Sequence, residues 1–189
     1  MRKTATRIAR EFGEQLRSGR LRRLRLCRRA IVIAGLVGVV GLTILFQPRP
    51  RVVWNASASA PIGLYWISAP HDLVAGDMVI AWVPAELRKL AAMRRYIPVN
   101  VPLVKRVAAA PGDQVCAQGN QIYINGSWVA DRLPLDRRGR PMPWWEGCFQ
   151  LRDGAVFLLM DDPASFDGRY LGPTDRQDVI GRAKALWTR

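Results

Sequence analysis

Histidine is almost missing from this chain. There is one, His71, among 189 residues that include 29 Lys and Arg and 15 Asp and Glu, so a histidine-based proton shuttle has a single place to sit. Cysteine is also scarce. Cys27, Cys116 and Cys148 lack the spacing of a zinc site. The acidic residues Asp161, Asp162 and Asp167 miss the alternation of a calcium loop, and neither a metal nor another cofactor is expected. Internal repeats and low-complexity segments are absent as well.

The charge that is present is unevenly spread. Residues 1–29 hold eleven Lys and Arg against two Asp and Glu, whereas the whole chain carries +14. An arm this basic suits nucleic acid or anionic lipid. The adjoining segment decides between them. Residues 30–46 contain no charge, and at 1.5 Å each they reach roughly 25 Å, near the lower limit for a membrane span. Arg28 and Arg29 on one side and Arg49 and Arg51 on the other can snorkel to the headgroups. The expected organisation is a basic cytoplasmic arm (1–29), a transmembrane signal anchor (30–47) and an exported domain (48–189) held across the inner membrane by the positive-inside rule. Nucleic acid is not needed to explain the arm. A cleaved signal peptide is the competing account, with Ala56-x-Ala58 or Ala58-x-Ala60 as its site. The apolar run is long for a signal core, those sites lie about ten residues beyond it, and Pro61 follows Ala60 directly.

Beyond the anchor the pattern is mostly strand. Leu64–Ile67 and Met78–Val83 are apolar runs bounded by turn residues, and Gln121–Ile124 and Ser127–Ala130 flank Asn125-Gly126, a strong hairpin signal. Pro84 opens a helix over Ala85–Arg95 that Pro98 stops. Ala155–Met160 and Val179–Trp187 are further strands, and residues 131–147 form an irregular insertion. The expectation is a β-rich domain with one short helix, coiled into a barrel or layered sheet. Cys27 would stay reduced in the cytoplasm. Cys116 and Cys148, across the membrane, would form one disulfide or remain two buried thiols.

One residue breaks the apolar pattern. Lys105 interrupts the strand that runs from Val101 to Ala110. If it is buried, its ammonium loses hydration, its pKa falls, and a neutral amine becomes available as a base. The plain alternative is a side chain that snorkels to water. Asn55 through Gly63 place two serines, Ser57 and Ser59, among residues with very small side chains. Such neighbours admit a substrate backbone, and Pro61 and Gly63 suit a fixed turn; a plain linker after a membrane anchor reads the same way. The third polar element is Met160–Pro173, where Asp167 and Arg169 flank Gly168, either as an ion pair anchoring a turn or as a solvated loop.

Taken in order after one anchor, these stretches resemble the signal peptidase I family of membrane serine proteases, and within it the conjugative-transfer (TraF-type) branch. Asn55-x-Ser57-x-Ser59-x-Pro61-x-Gly63-x-Tyr65 fits the branch's first motif, in which the serine lies one residue nearer the proline than in general signal peptidases. Lys105-Arg106 followed by Pro111-Gly112-Asp113 fits the second. Ser165-x-Asp167-Gly168-Arg169-Tyr170-x-Gly172 fits the third and departs from it at Gly168, where serine is usual.

The resemblance implies a signal-peptidase-like coiled sheet and a division of roles. Ser59 would be the nucleophile and neutral Lys105 its general base. The Ser59 N–H and the Ser57 hydroxyl would form the oxyanion hole. Ser165 would orient the Lys105 amine, and Asp167 and Arg169 would hold the site together. The implied activity is a serine endopeptidase that removes leader peptides from exported precursors cut after small residues. Its partners would be precursor pilin, membrane lipid and the conjugation or secretion machinery, and the product would be linear or cyclic. A general signal peptidase and a non-catalytic membrane-tethered scaffold are the rivals. Two further expectations concern tryptophan and pH: Trp144 and Trp145 dip into the membrane interface beside the site, and the Lys105 amine is largely neutral near pH 7–8.

Overall fold

The computed structural model describes residues 26–43 and 51–189. The expected basic arm therefore lies outside the described residues up to position 25, and the far end of the expected anchor lies outside them from position 44. The chain divides into Met1–Arg49 and Pro50–Arg189. In the first unit, Leu26–Thr43 is a single helix, α1, long and apolar enough to cross a membrane. Its large apolar side chains are exposed within the described residues.

The second unit is mostly β, with a curled half-barrel sheet. Strands β1 (Val52–Asn55), β2 (Gly63–Ser68), β3 (Met78–Ala81), β4 (Leu103–Ala109), β9 (Phe157–Leu158) and β10 (Val179–Thr188) form a sheet in the order β1-β2-β10-β3-β4-β9. A second sheet orders β7 (Ser127–Asp131), β6 (Gln121–Ile124), β5 (Gln114–Gln118) and β8 (Gly147–Gln150). All strand pairs are antiparallel. The Asn125-Gly126 hairpin is present, both residues having positive φ, 51° and 80°. Helix α2 runs over Ala85–Met93, two residues short of its expected end, and a one-turn helix, α3, spans Gly168–Leu171.

Three strands escape the sequence pattern. β1 and β8 are mostly exposed edge strands without a buried alternating face, and β5 carries Gln at both ends of a five-residue run. Their pairing partners, not their own periodicity, make them strands. The long apolar run of β4 has a different cause. It is hydrogen-bonded on both sides, by β3 and β9, and buried on both faces through most of its length, so hydrophobicity replaces alternation.

Packing also decides the two tryptophans of the 131–147 insertion. Trp145 sits edge-on to Phe149 and Phe157 at 5.6 and 6.1 Å between centroids and packs on the core of Val115, Ile122 and Leu151. It thus packs against the β-core, and its Nε1 donates to the Gly168 carbonyl at 3.0 Å. Trp144 is exposed and lies over the buried Arg132 guanidinium, 3.6 Å from ring centroid to cation.

Candidate active site

The loop between β1 and β2 carries both serines, and Asn55 shapes it. Asn55 is buried at the end of β1. Its Nδ2 donates to the carbonyls of Ser57, Ala60 and Pro61 at 3.0–3.1 Å, and its Oδ1 accepts the Ser57 N–H at 3.1 Å. The Tyr65 hydroxyl adds a bond to the Pro61 carbonyl at 2.7 Å. Small residues make this loop flexible by nature, and one amide side chain satisfies its otherwise unpaired backbone. The clamp was missed at the level of sequence; its signal was an asparagine four residues before a serine in a stretch otherwise almost without side chains.

Lys105 lies in β4 opposite Val79 and is 3% exposed. It does not snorkel. Its Nζ donates to Ser59 Oγ at 2.9 Å and to Ser165 Oγ at 2.7 Å. Burial pulls the amine down from 10.5 to about 8, helped by Arg169 and opposed by Asp167 and Asp162. The shift runs in the expected direction, from an ammonium that ordinarily holds its proton past pH 10 toward an amine that releases it at about 8. Asp167 and Arg169 pull in opposite directions, so burial remains the main cause of the shift.

The third motif supplies a rigid wall. Asp167 is fully buried, pairs with Arg169 Nη1 at 2.7 Å, and accepts the backbone N–H groups of Met160 and Arg169 at 3.1 and 3.2 Å. Burial pushes its carboxyl up, while Arg169 and Lys105 draw it back. The Arg169 Nη2 donates to the Met160 carbonyl at 2.8 Å. The ion pair thus joins α3 to the end of β9 and fixes Ser165, itself 2% exposed. Gly168, the departure from the motif, has a steric reason. A Cβ there would stand 2.7 Å from both the Leu158 carbonyl oxygen and the Phe157 ring.

Ser57 and Ser59 are brought together, but not as two free donors. Ser57 Oγ accepts the Ser59 N–H at 3.4 Å and lies 2.9 Å from Ser59 Oγ. A cleft of about 530 Å³ opens over Ser57, Ser59, Lys105 and Ser165, walled by Tyr96, Val104 and Phe166. Cys116 and Cys148, on neighbouring strands β5 and β8, form a disulfide and do not line that cleft. His71 is an exposed loop residue and does not line it either.

A buried lysine hydrogen-bonded to a serine in a cleft is peptidase-like chemistry, and comparison with known proteins agrees. The family model described as signal peptidase, peptidase S26, matches residues 23–188.

This chain belongs to the signal peptidase S26 family.

Relatives are similar over most of their length. The plasmid transfer protein TraF of Escherichia coli is 31% identical over 161 residues, covering 79% of this chain and 88% of its own. The conjugal transfer protein TraF of Agrobacterium fabrum (strain C58) is 28% identical over 144 residues, covering 71% and 81%. Signal peptidase I V of Bacillus subtilis (strain 168) is 30% identical over 98 residues, covering 44% and 56%. A signal peptidase I crystal structure from Enterococcus faecalis V583 aligns with a TM-score of 0.35 at 19% identity, covering 60% of this chain and 98% of that one. Membership of the S26 family supports a serine-peptidase role for this chain.

Proposed function

We propose that the protein is a membrane-anchored serine endopeptidase in which Ser59 is the nucleophile and Lys105 its general base. One observation carries the proposal: an amine 3% exposed, with its pKa lowered to about 8, lies 2.9 Å from the Ser59 hydroxyl oxygen. In its neutral form the amine takes the Ser59 proton as Oγ attacks the scissile carbonyl. The resulting ammonium then gives that proton to the leaving amine. The Ser165 hydroxyl and the Asp167–Arg169 pair keep the amine aimed. Substrate binding breaks the Ser57–Ser59 contact, and the Ser59 N–H and Ser57 hydroxyl turn to the developing oxyanion. Water, or an amine of the substrate itself, releases the acyl group to give a linear or a cyclic product.

The substrate proposed is a leader-bearing exported precursor, most specifically the pilin precursor of a conjugative transfer system. The two TraF relatives, named for plasmid and conjugal transfer, support this assignment. Helix α1 would anchor the enzyme in the inner membrane with its basic arm in the cytoplasm and its catalytic unit in the periplasm, where the Cys116–Cys148 bond is at home. The B. subtilis relative favours a second substrate class, general secretory precursors.

The test is precursor processing in cells that carry Ser59→Ala or Lys105→Ala. Each substitution is expected to lower processing at least about a thousandfold, with the protein still present in the membrane. Processing at the parental rate in either variant rejects the dyad and favours a scaffold. Offering pilin and a secretory precursor side by side separates the two substrate classes.

A further inference from the structure

Beside the cleft lies a second cavity of about 260 Å³, which shares Tyr96, Arg137, Ala164 and Phe166 with it. Its walls combine two features. Leu133, Leu135, Met142 and Phe166 give it an apolar lining, with Leu133 and Leu135 about half exposed. Around that lining stand Arg94, Arg95, Arg137, Arg138 and Arg140, against a single carboxylate, Asp136.

That carboxylate is already occupied. Asp136 accepts the Tyr96 hydroxyl at 2.6 Å, the Arg140 guanidinium, and the backbone N–H groups of Arg138 and Arg140 at 2.8 and 2.9 Å. The Tyr96 bond above all, and then the Arg140 and Arg138 contacts, hold it well below the usual carboxylate range. Asp136 therefore neutralises Arg140 and nothing else. Among the described residues, Arg95, Arg137 and Arg138 have no carboxylate partner. Arg95 is also placed unusually. It follows α2 with φ at +60°, the left-handed position where helices normally end on glycine or asparagine. The long cation therefore stands at a position where backbone preference argues against it.

Resting on the peptidase reading of the neighbouring cleft, we propose that this cavity is a substrate subsite for acidic residues flanked by apolar ones. Its occupant is the part of the polypeptide lying next to the scissile bond. Charge complementarity selects the carboxylates, the apolar lining takes the neighbouring side chain, and continuity with the cleft requires an occupant attached to the chain being cut. An anionic lipid headgroup would satisfy the arginines but has no reason to reach the Phe166 wall of the cleft.

The test uses the full-length protein in detergent micelles and two fluorescein-labelled peptides. Both carry Ala-x-Ala before the scissile bond; one has Glu-Leu-Glu in its flanks, the other Gln-Leu-Gln. Binding is read by anisotropy with the Ser59→Ala protein, and cleavage with the parent. The acidic peptide is expected to bind about tenfold tighter, with the preference falling to near parity in an Arg95→Gln/Arg138→Gln variant and in high salt. Equal binding of the two peptides, or a preference untouched by the double substitution, overturns the proposal. So does a double variant that loses affinity for short-chain phosphatidylglycerol but keeps its peptide preference. Binding without cleavage by the parent counts against the peptidase reading and leaves the acidic subsite standing.

Discussion

Lys105 combines two opposed demands: a base must be free of its proton near neutral pH, and a folded protein resists burying an ammonium. The amine's shift from 10.5 to about 8 measures that conflict. Unfolded, the lysine keeps its proton up to about pH 10.5; folded, it releases it at about 8. Between those values the unfolded chain binds more protons, so the contribution of Lys105 to stability rises with pH across that window. Below pH 8 the folded protein carries the full penalty, about 3 kcal/mol. Lys105→Met should therefore be more stable than the parent at pH 7, by about 2 kcal/mol once the lost hydrogen bonds are deducted. Thermal unfolding in detergent at pH 7 and pH 10 checks this, since the advantage should shrink at the higher pH. A constant difference would mean that burial of charge is not the cause. The same amine sets the activity profile. On the proposed mechanism kcat/KM rises about tenfold per pH unit below pH 8 and levels off above it, and a flat profile from pH 6 to 9 would remove Lys105 from the chemistry.

At the scale of elements, the β1–β2 loop and the segment around α3 flank the β4 lysine, and each is shaped by one residue. Asn55 ties down the Ser57–Pro61 turn with four hydrogen bonds. Asn55→Ala should cost about 2 kcal/mol of stability through the unpaired carbonyls and lower kcat more than it raises KM, because the reacting hydroxyl is misplaced and the cleft is intact. Steady-state kinetics on a peptide substrate decides this, and a pure KM effect would make Asn55 a residue of the cleft wall instead. Gly168 performs the matching service in α3, letting it pack against Phe157 and the Leu158 carbonyl. Gly168→Ser restores the usual residue of the family motif, yet should destabilise this protein by about 1–3 kcal/mol, since the backbone carbonyl cannot yield cheaply. A melting temperature equal to the parent's would show that α3 shifts without strain.

Across the whole molecule, the two sheets divide the work. All the serines and the lysine of the candidate site belong to the larger sheet and its loops, while the smaller sheet carries the disulfide between β5 and β8. The bond closes a loop with a sequence separation of 32, a constraint on the unfolded chain worth about 3–4 kcal/mol in the chain-entropy account. Cys116→Ser/Cys148→Ser should therefore lower the melting temperature by roughly 10 °C and leave turnover below that temperature at the parental level. Loss of turnover in the still-folded variant would show that the smaller sheet reaches the cleft.

Sequence alone determined what depends on residue type and order. Within the uncharged run, residues 30–43 belong to helix α1, which is long and apolar enough to cross a membrane, as the absence of charge leads one to expect. Resemblance to the three motifs of the signal peptidase family pointed to Ser59, Lys105, Ser165, Asp167 and Arg169, where the residues alone left plainer readings open. The Asn125-Gly126 hairpin was legible because its turn demands positive φ twice. Tertiary structure decided the rest, because it depends on what lies opposite. Whether Lys105 snorkels or stays buried was settled by β3 and β9 closing over both sides of β4. The edge strands β1 and β8 exist only through their partners. The two adjacent tryptophans separated, one into the core and one onto Arg132. No local pattern carries such information, since burial is a property of the assembled surfaces and not of the residue that is buried.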